Sequence, residues 1–305
     1  MTQIIIHLKV GEVMNGKKQH YRIIPYIFLI PYFFAFITFR FGPSIAGFFV
    51  SLTRWNIVGQ AKFVGFQNFI DLFEDPNFIK SLTNTLYFML LTVPALVIGG
   101  LLIAMLVDQK LRGRYVTRTF VFMPYVIMST VVGVIWMWIF DTHFGILNYY
   151  LGFFGIKPIA WLSSINWAMP AVAIATIWWT IGFNMILFLA GLQDIPNELK
   201  EAARIDGASS WQVFWNVTFP LLSPTTIVVV MLTLINTFQV FAQVYVMTGG
   251  GPAMATLTVV QYMYVQSFQY YRLGYGSAIA YIVFIFLVGL ILVERSILKK
   301  SGDIN

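Results

Sequence analysis

Two groups of residues in this 305-residue chain have types and spacing suited to chemistry, and neither is a catalytic set. The first is a cluster of uncharged polar and aromatic side chains within otherwise apolar segments: Trp178, Trp179, Thr180 and Asn184, then Thr233, Asn236, Thr237, Gln239 and Gln243. An aromatic face stacks on the C–H face of a sugar ring, while amides and hydroxyls exchange hydrogen bonds with its hydroxyls. The mixture therefore suits a neutral polyol better than an ion. The same residue types also join helices in lipid, at about 1 kcal/mol each, so any one of them alone reads first as packing. The second group lies in "EAARIDGASSWQVFWNVTFP", Glu201 to Pro220, a polar stretch between two very apolar ones. Ala202 and Ala203 share a helix face there, small enough for another protein surface to approach the backbone closely.

Other chemistries lack residues. No G-x-x-x-x-G-K-[ST] occurs, so no phosphate-cradling loop of that kind binds ATP. With no cysteine and three scattered histidines (His7, His20, His143), neither a disulfide nor a metal cluster is expected. No Ser/His/Asp set or buried carboxylate pair presents itself, and the apolar segments carry no ionisable relay of the kind that proton-coupled pumps use. The expectation is no catalytic and no metal-binding residues.

The elements that position both groups follow from composition. Hydrophobic residues make up 59% of the chain and charged ones 10%, with mean hydropathy +0.78, where soluble domains are about 45–50% apolar and about 25% charged. This is a membrane composition. The net charge of +7 sits in short runs beside apolar segments, which is topology rather than nucleic-acid binding. A spanning helix needs about 20 apolar residues, and six segments qualify, near 23–45, 86–107, 119–140, 167–191, 221–246 and 273–293. Arg40 lies close to the outer end of the first, within reach of headgroups. With both termini inside, thirteen lysines and arginines fall on inner segments and six on outer ones (Arg40, Arg54, Lys62, Lys80, Lys157 and Arg272). That asymmetry puts the Glu201–Pro220 stretch and both termini in the cytoplasm. Residues 1–22 read as a cytoplasmic tail without a cleavage site, in which either Met1 or Met14 is the start. The outer segment Thr53–Asn84 is expected to form a short strand-like piece followed by an interfacial helix.

Local signals divide the loop in two. Pro196 suits a first helical turn, Glu198 and Glu201 suit the positive helix end, and Gly207 ends the helix in a left-handed conformation. One helix is thus predicted from Pro196 to Asp206, with Leu199, Ala202, Ala203 and Asp206 on one face. Ser209 and Gln212 form a capping box that starts a second helix, predicted to end at Pro220. Trp211, Phe214, Trp215 and Thr218 line one side of it, a face expected at the membrane interface or under the ends of the spans and so held to the membrane domain.

This stretch closely resembles the EAA loop of ATP-binding-cassette importer permeases, whose pattern is E-A-A, three residues, Gly, nine residues, then apolar, any residue, apolar and Pro. Here those elements are Glu201, Ala202, Ala203, Gly207, Val217, Phe219 and Pro220. Ile and Leu are commoner at the positions of Val217 and Phe219. "VGFQNF", "RTFVFMPYVI", "AGLQDIP", "TGGGP" and "YGSAIA" resemble the sugar-importing subgroup, in particular the first permease of maltose-type and glycerol-3-phosphate-type systems. The resemblance implies an all-α membrane protein with six transmembrane helices and a cytoplasmic coupling-helix pair between spans four and five, the type I importer fold. It divides the chain into a tail (1–22), a first span with its external loop (23–79), a type-1 transmembrane domain (80–294) holding five spans and the loop 196–220, and a C-terminal tail (295–305).

The function so implied is that of the permease subunit in a prokaryotic plasma-membrane importer of sugars or oligosaccharides. Glu201, Ala202, Ala203, Arg204, Asp206 and Gly207 would dock in a cleft of a separate ATPase. The partners implied are two such ATPase subunits holding ATP and Mg, a second homologous permease and an external solute-binding protein, with no cofactor in this chain. The substrate path is expected at Trp179, Asn184, Thr233, Asn236, Thr237 and Gln239. Alternatives are an importer of glycerol-3-phosphate or another small polar solute, an enzyme of lipid-linked sugars, or a membrane scaffold.

Overall fold

A computed structural model describes residues 27–57, 59–109 and 113–302, with side chains through 296. The predicted tail with Met1 and Met14, and Lys110 and Arg112, lie outside the described residues. The chain is helical, with a two-stranded hairpin at one end. In order it forms α1 (Ile27–Ser51), β1 (Thr53–Arg54), β2 (Lys62–Phe63), α2 (Gln67–Glu74), α3 (Pro76–Asp108), α4 (Arg114–Val126), α5 (Ser129–Ile139) and α6 (Ile146–Phe153). There follow α7 (Ala168–Asp194), α8 (Asn197–Ile205), α9 (Ser210–Phe238), α10 (Ala242–Thr248), α11 (Val259–Tyr264) and α12 (Leu273–Gly302). Among the described residues, α1, α3, α7, α9 and α12 are long and apolar enough to cross a membrane, and α4 with α5, a pair bent at a short break, meets the same measure when taken together. With the bent pair counted as one span, the candidate crossings number the six predicted, and four differ in shape.

The first continues to Ser51, through a π turn at Ile37–Phe41. Arg40 is therefore near the middle of the helix rather than close to its outer end. The second begins at Pro76 instead of 86, because Asp75 caps it by accepting from the Asn77 N–H at 2.9 Å and Pro76 needs no donor at the first turn. Phe78, Ser81, Asn84 and Thr85 are buried on these added turns, so packing with the loops supports them beyond the apolar run.

The third crossing bends by 99° between α4 and α5, where Ile127 and Met128 adopt extended ψ angles of 139° and 135°. The Ile127 carbonyl freed by the break accepts the indole N–H of Trp179 at 3.0 Å. An open carbonyl in lipid has no water to turn to, so this bond is what makes the break tolerable. The predicted fifth span, 221–246, stops at Phe238, and Gln239–Phe241 separate it from α10. There the Val240 carbonyl accepts from the Thr258 hydroxyl at 3.1 Å. Nor does the second loop helix end at Pro220. It passes through a π turn at Phe214–Thr218 and becomes span five, since the turn already replaces the ordinary ladder where the proline lacks its donor.

Packing centres on α7. A Cβ on Gly100 of α3 would lie 2.9 Å from the Asn184 Cβ, one on Gly182 would lie 2.2 Å from the Val121 oxygen of α4, and one on Gly191 would lie 2.5 Å from the Thr225 hydroxyl of α9. Small residues at such crossings let helices meet where lipid supplies no hydrophobic drive.

At the end opposite α8, strand-like and helical pieces follow each other as predicted: the hairpin pairs Thr53 with Phe63 and Arg54 with Lys62, and α2 comes next. Buried polar side chains tie this end together. Asn68 donates to the Ser51 and Thr53 carbonyls at 2.7 and 2.8 Å, and Asn84 to those of Met254 and Leu257 at 2.7 and 3.0 Å. The Asp75 carboxylate accepts from the hydroxyls of Tyr262, beside span five, and Tyr275 of α12. Burial pushes this carboxyl up, but the two tyrosines and the Asn77 and Phe78 N–H groups outweigh that and hold it below its usual 3.8. A depressed carboxylate stabilises the fold above its ordinary value and loses that contribution as the pH falls through the folded one. Asp75→Asn is expected to lower thermal stability at pH 7 by about 1 kcal/mol, the site being partly open to water. The gap between wild type and variant should close below pH 3.8 in detergent unfolding scans.

Candidate functional site

The interrupted spans meet around one cavity of about 370 Å³. All six residues expected along a substrate path line it: Trp179 and Asn184 from α7, Thr233, Asn236 and Thr237 from α9, and Gln239 from the break after α9. Thr180 and Gln243 join them, whereas Trp178 turns away and meets the edge of Trp136 at 5.7 Å. No lysine, arginine, histidine or carboxylate lines the cavity among the described residues.

Hydrogen bonding sorts these side chains by what remains for a ligand. Asn184, 2% exposed, donates to the Thr233 hydroxyl at 2.8 Å and so joins α7 to α9. Thr233 and Thr237 donate to carbonyls one turn back, at Val229 and Thr233, each at 2.7 Å. Thr180 does the same with Thr176 at 2.7 Å. Their hydroxyls retain only acceptor capacity. Trp179 has committed its N–H to Ile127 and offers its ring alone. Asn236, Gln239 and Gln243 make no side-chain hydrogen bond among the described residues and keep both donors and acceptors.

Sequence reasoning missed Tyr125 and Ser129 on the two sides of the α4–α5 break, and Phe241 in the break after α9. Tyr125 stacks on Phe183 with ring centroids 4.9 Å apart and tilts against Trp179 at 5.7 Å, forming an aromatic wall. Pro124, one residue before Tyr125, was the available signal for the first break. No proline or glycine marks the second.

At the opposite end of α7 the loop folds from its local signals. Pro196 stands just outside α8 as its cap rather than within the first turn. Gly207 has φ +87°, the left-handed value expected, and Gly207 and Ala208 donate to the Arg204 and Ala203 carbonyls at 3.0 Å each. This closes the helix end. Both halves of the Ser209–Gln212 capping box form, the Ser209 N–H reaching the Gln212 Oε1 at 2.8 Å. No residue of α8 is buried, so Glu201, Ala202, Arg204 and Asp206 face outward with Gly207, and Ala203 is half-buried. Ile205, which the sequence reading did not single out, is 86% exposed. Trp211 is 70% exposed.

Comparison with known proteins agrees with this arrangement. Residues 75–296 match the family described as "Binding-protein-dependent transport system inner membrane component". The trehalose/maltose transport system permease protein MalF of Thermococcus litoralis is 34% identical over 282 residues, covering 91% of this chain and 94% of that protein. The sn-glycerol-3-phosphate transport system permease protein UgpA of Agrobacterium fabrum is 35% identical over 281 residues, covering 92% and 96%. Among solved structures, a bacterial ABC transporter involved in the import of the acidic polysaccharide alginate has a chain that superposes with a TM-score of 0.80 at 23% identity, over 93% of this chain and 98% of that one. This last likeness establishes the fold. Family match, crossings and exposed loop helix agree, and the chain belongs to the inner membrane components of binding-protein-dependent transport systems.

Proposed function

We propose that this permease forms half of the pathway for a neutral sugar or oligosaccharide, and that the central cavity is its share of the binding site. The observation that carries the reading is the chemistry of the cavity: aromatic faces, threonine acceptors and free amides, with no charge among the described residues. The chain is about equally similar to a maltose-type and to a glycerol phosphate permease, so similarity alone leaves the solute open. A phosphate ester entering an uncharged, partly dehydrated site would meet no cation, which favours the neutral solute.

Asn236, Gln239 and Gln243 act as the recognising amides, while Asn184 and Trp179 hold the walls. Transport is driven through the loop: α8, with Glu201, Ala202, Ala203, Arg204, Asp206 and Gly207, sits in a cleft of a separate ATPase subunit that binds ATP and Mg. The lysine and arginine asymmetry supports a cytoplasmic position for this loop and for both termini. A second permease completes the pathway, and an external binding protein delivers the solute.

Two experiments on the reconstituted transporter test this. Asn236→Ala and Gln239→Ala should each lower apparent sugar affinity about 2- to 10-fold, the loss of one uncharged hydrogen bond, with assembly intact. Asn184→Ala and Trp179→Ala should instead lower thermal stability as well, because each leaves a wall group unpartnered. Normal uptake by both amide variants, or uptake of glycerol phosphate in preference to neutral sugars, would overturn the assignment. For the loop, Gly207→Val forces a branched side chain into a left-handed position, at a cost of about 1–2 kcal/mol. Together with Glu201→Ala it should reduce ATPase co-purification and uptake while leaving sugar binding unchanged; unaltered coupling in both would refute the docking role.

A further inference from the structure

A groove of about 360 Å³ runs along the outer face of α4, bounded by Arg118, Thr119, Phe122, Met123 and Val126 and by Ile186 of α7. The spacing gives it a direction. Arg118, Phe122 and Val126 follow each other at i, i+4 and i+8, with Thr119 and Met123 beside them, so a cationic head near the start of the helix leads into an apolar trough. Arg114, one turn earlier, stands over the Tyr115 ring at 4.9 Å, and Arg118 lies 5.5 Å from the same ring. Neither arginine has a carboxylate within 4.0 Å among the described residues. The Arg118 Nε is buried and has no hydrogen-bond partner among the described residues.

A guanidinium with a buried donor left open asks for an acceptor, and its surroundings say which kind. The head of the groove lies within two turns of the α4 start, and its tail is lined by the apolar side chains of Phe122, Met123, Val126 and Ile186. An inorganic anion would satisfy the head only. We propose that this groove binds an anionic phospholipid, its phosphate on Arg118 and Arg114 and one acyl chain along Phe122, Met123 and Val126. The leaflet is the cytoplasmic one, which rests on the orientation proposed above. About a quarter-turn round α4 from the groove is Tyr125, which lines the cavity, stacks on Phe183 and has its ring centroid 5.8 Å from that of Phe122. Through the Phe122–Tyr125 contact, the lipid thus braces the half-helix that shapes the cavity.

Native mass spectrometry of the detergent-purified transporter, with phosphatidylglycerol and phosphatidylcholine of matched chains added back, tests the proposal. Wild type should retain phosphatidylglycerol preferentially, and Arg114→Gln and Arg118→Gln should each lower that preference about fivefold. Arg118→Lys, which keeps the charge, should preserve most of it and controls for folding. Equal retention of the two lipids by wild type overturns the proposal. So does competition by free glycerol phosphate at equal concentration, which would mark an anion site without a chain. A photo-crosslinker at Val126 should capture lipid; capture of a neighbouring subunit instead would assign the groove to a protein contact. Lipid retention is read without any solute, so a wrong sugar assignment would leave these results unchanged.

Discussion

The structure turns on the bond between Asn184 and Thr233. Helices in a bilayer gain nothing from hiding apolar surface, because the surrounding chains are as apolar as their own side chains. What holds them is close backbone contact and the occasional polar bond. Asn184 supplies both: its amide joins α7 to α9, and its Cβ rests against Gly100 of α3. With Gly182 against α4 and Gly191 against Thr225, one helix is fixed to three neighbours along its length. The cavity is the space left beside that layer, and its shape is inherited from it.

Two interruptions give the cavity its chemistry. An unbroken helix presents only side chains to its surroundings, since its backbone groups are used internally. The breaks at Ile127–Met128 and Gln239–Phe241 bring Ser129, Gln239 and Phe241 into the wall, and one carbonyl at each break accepts from another element, Ile127 from Trp179 and Val240 from Thr258. These donors explain why irregular backbone survives at membrane depth. They also separate two tasks that composition confuses, since some polar residues at the cavity are spent on the fold and others are left for a solute.

That separation marks the limit of what the sequence made legible. Hydropathy located six crossings, and capping chemistry located the Gly207 turn and the Ser209 box, because each depends on neighbours in the chain. The six residues expected along the path line one cavity, but residue type and resemblance suggested them, and spacing played no part. Whether Asn184 or Asn236 would be free was not readable, since it depends on Thr233 lying 49 positions from one of them. The break after Phe238 has no local signal at all; it is supported by Thr258, a residue beyond the next helix. The early start of α3 and the passage of α9 through Pro220 were missed for a related reason. Hydropathy windows register apolar runs, and neither a capped polar turn nor a widened turn alters them.

The π turn at Phe214–Thr218 makes the Ser209 cap and the Phe238 terminus two ends of a single shaft. A π turn holds one residue more than the α-helix around it, and each residue of an α-helix turns the chain by about 100° and advances it about 1.5 Å. The bearing of the exposed loop relative to the amide-lined break is therefore set by a count of residues. Substitutions within the turn can alter its strength, but a deletion would re-index the shaft, swinging Ile205 and its neighbours to another compass point while every contact below Pro220 stayed as it was. Chain length between Ser209 and Pro220 is then a gear ratio, and it explains why a pattern in this loop must fix spacing as strictly as it fixes residue type.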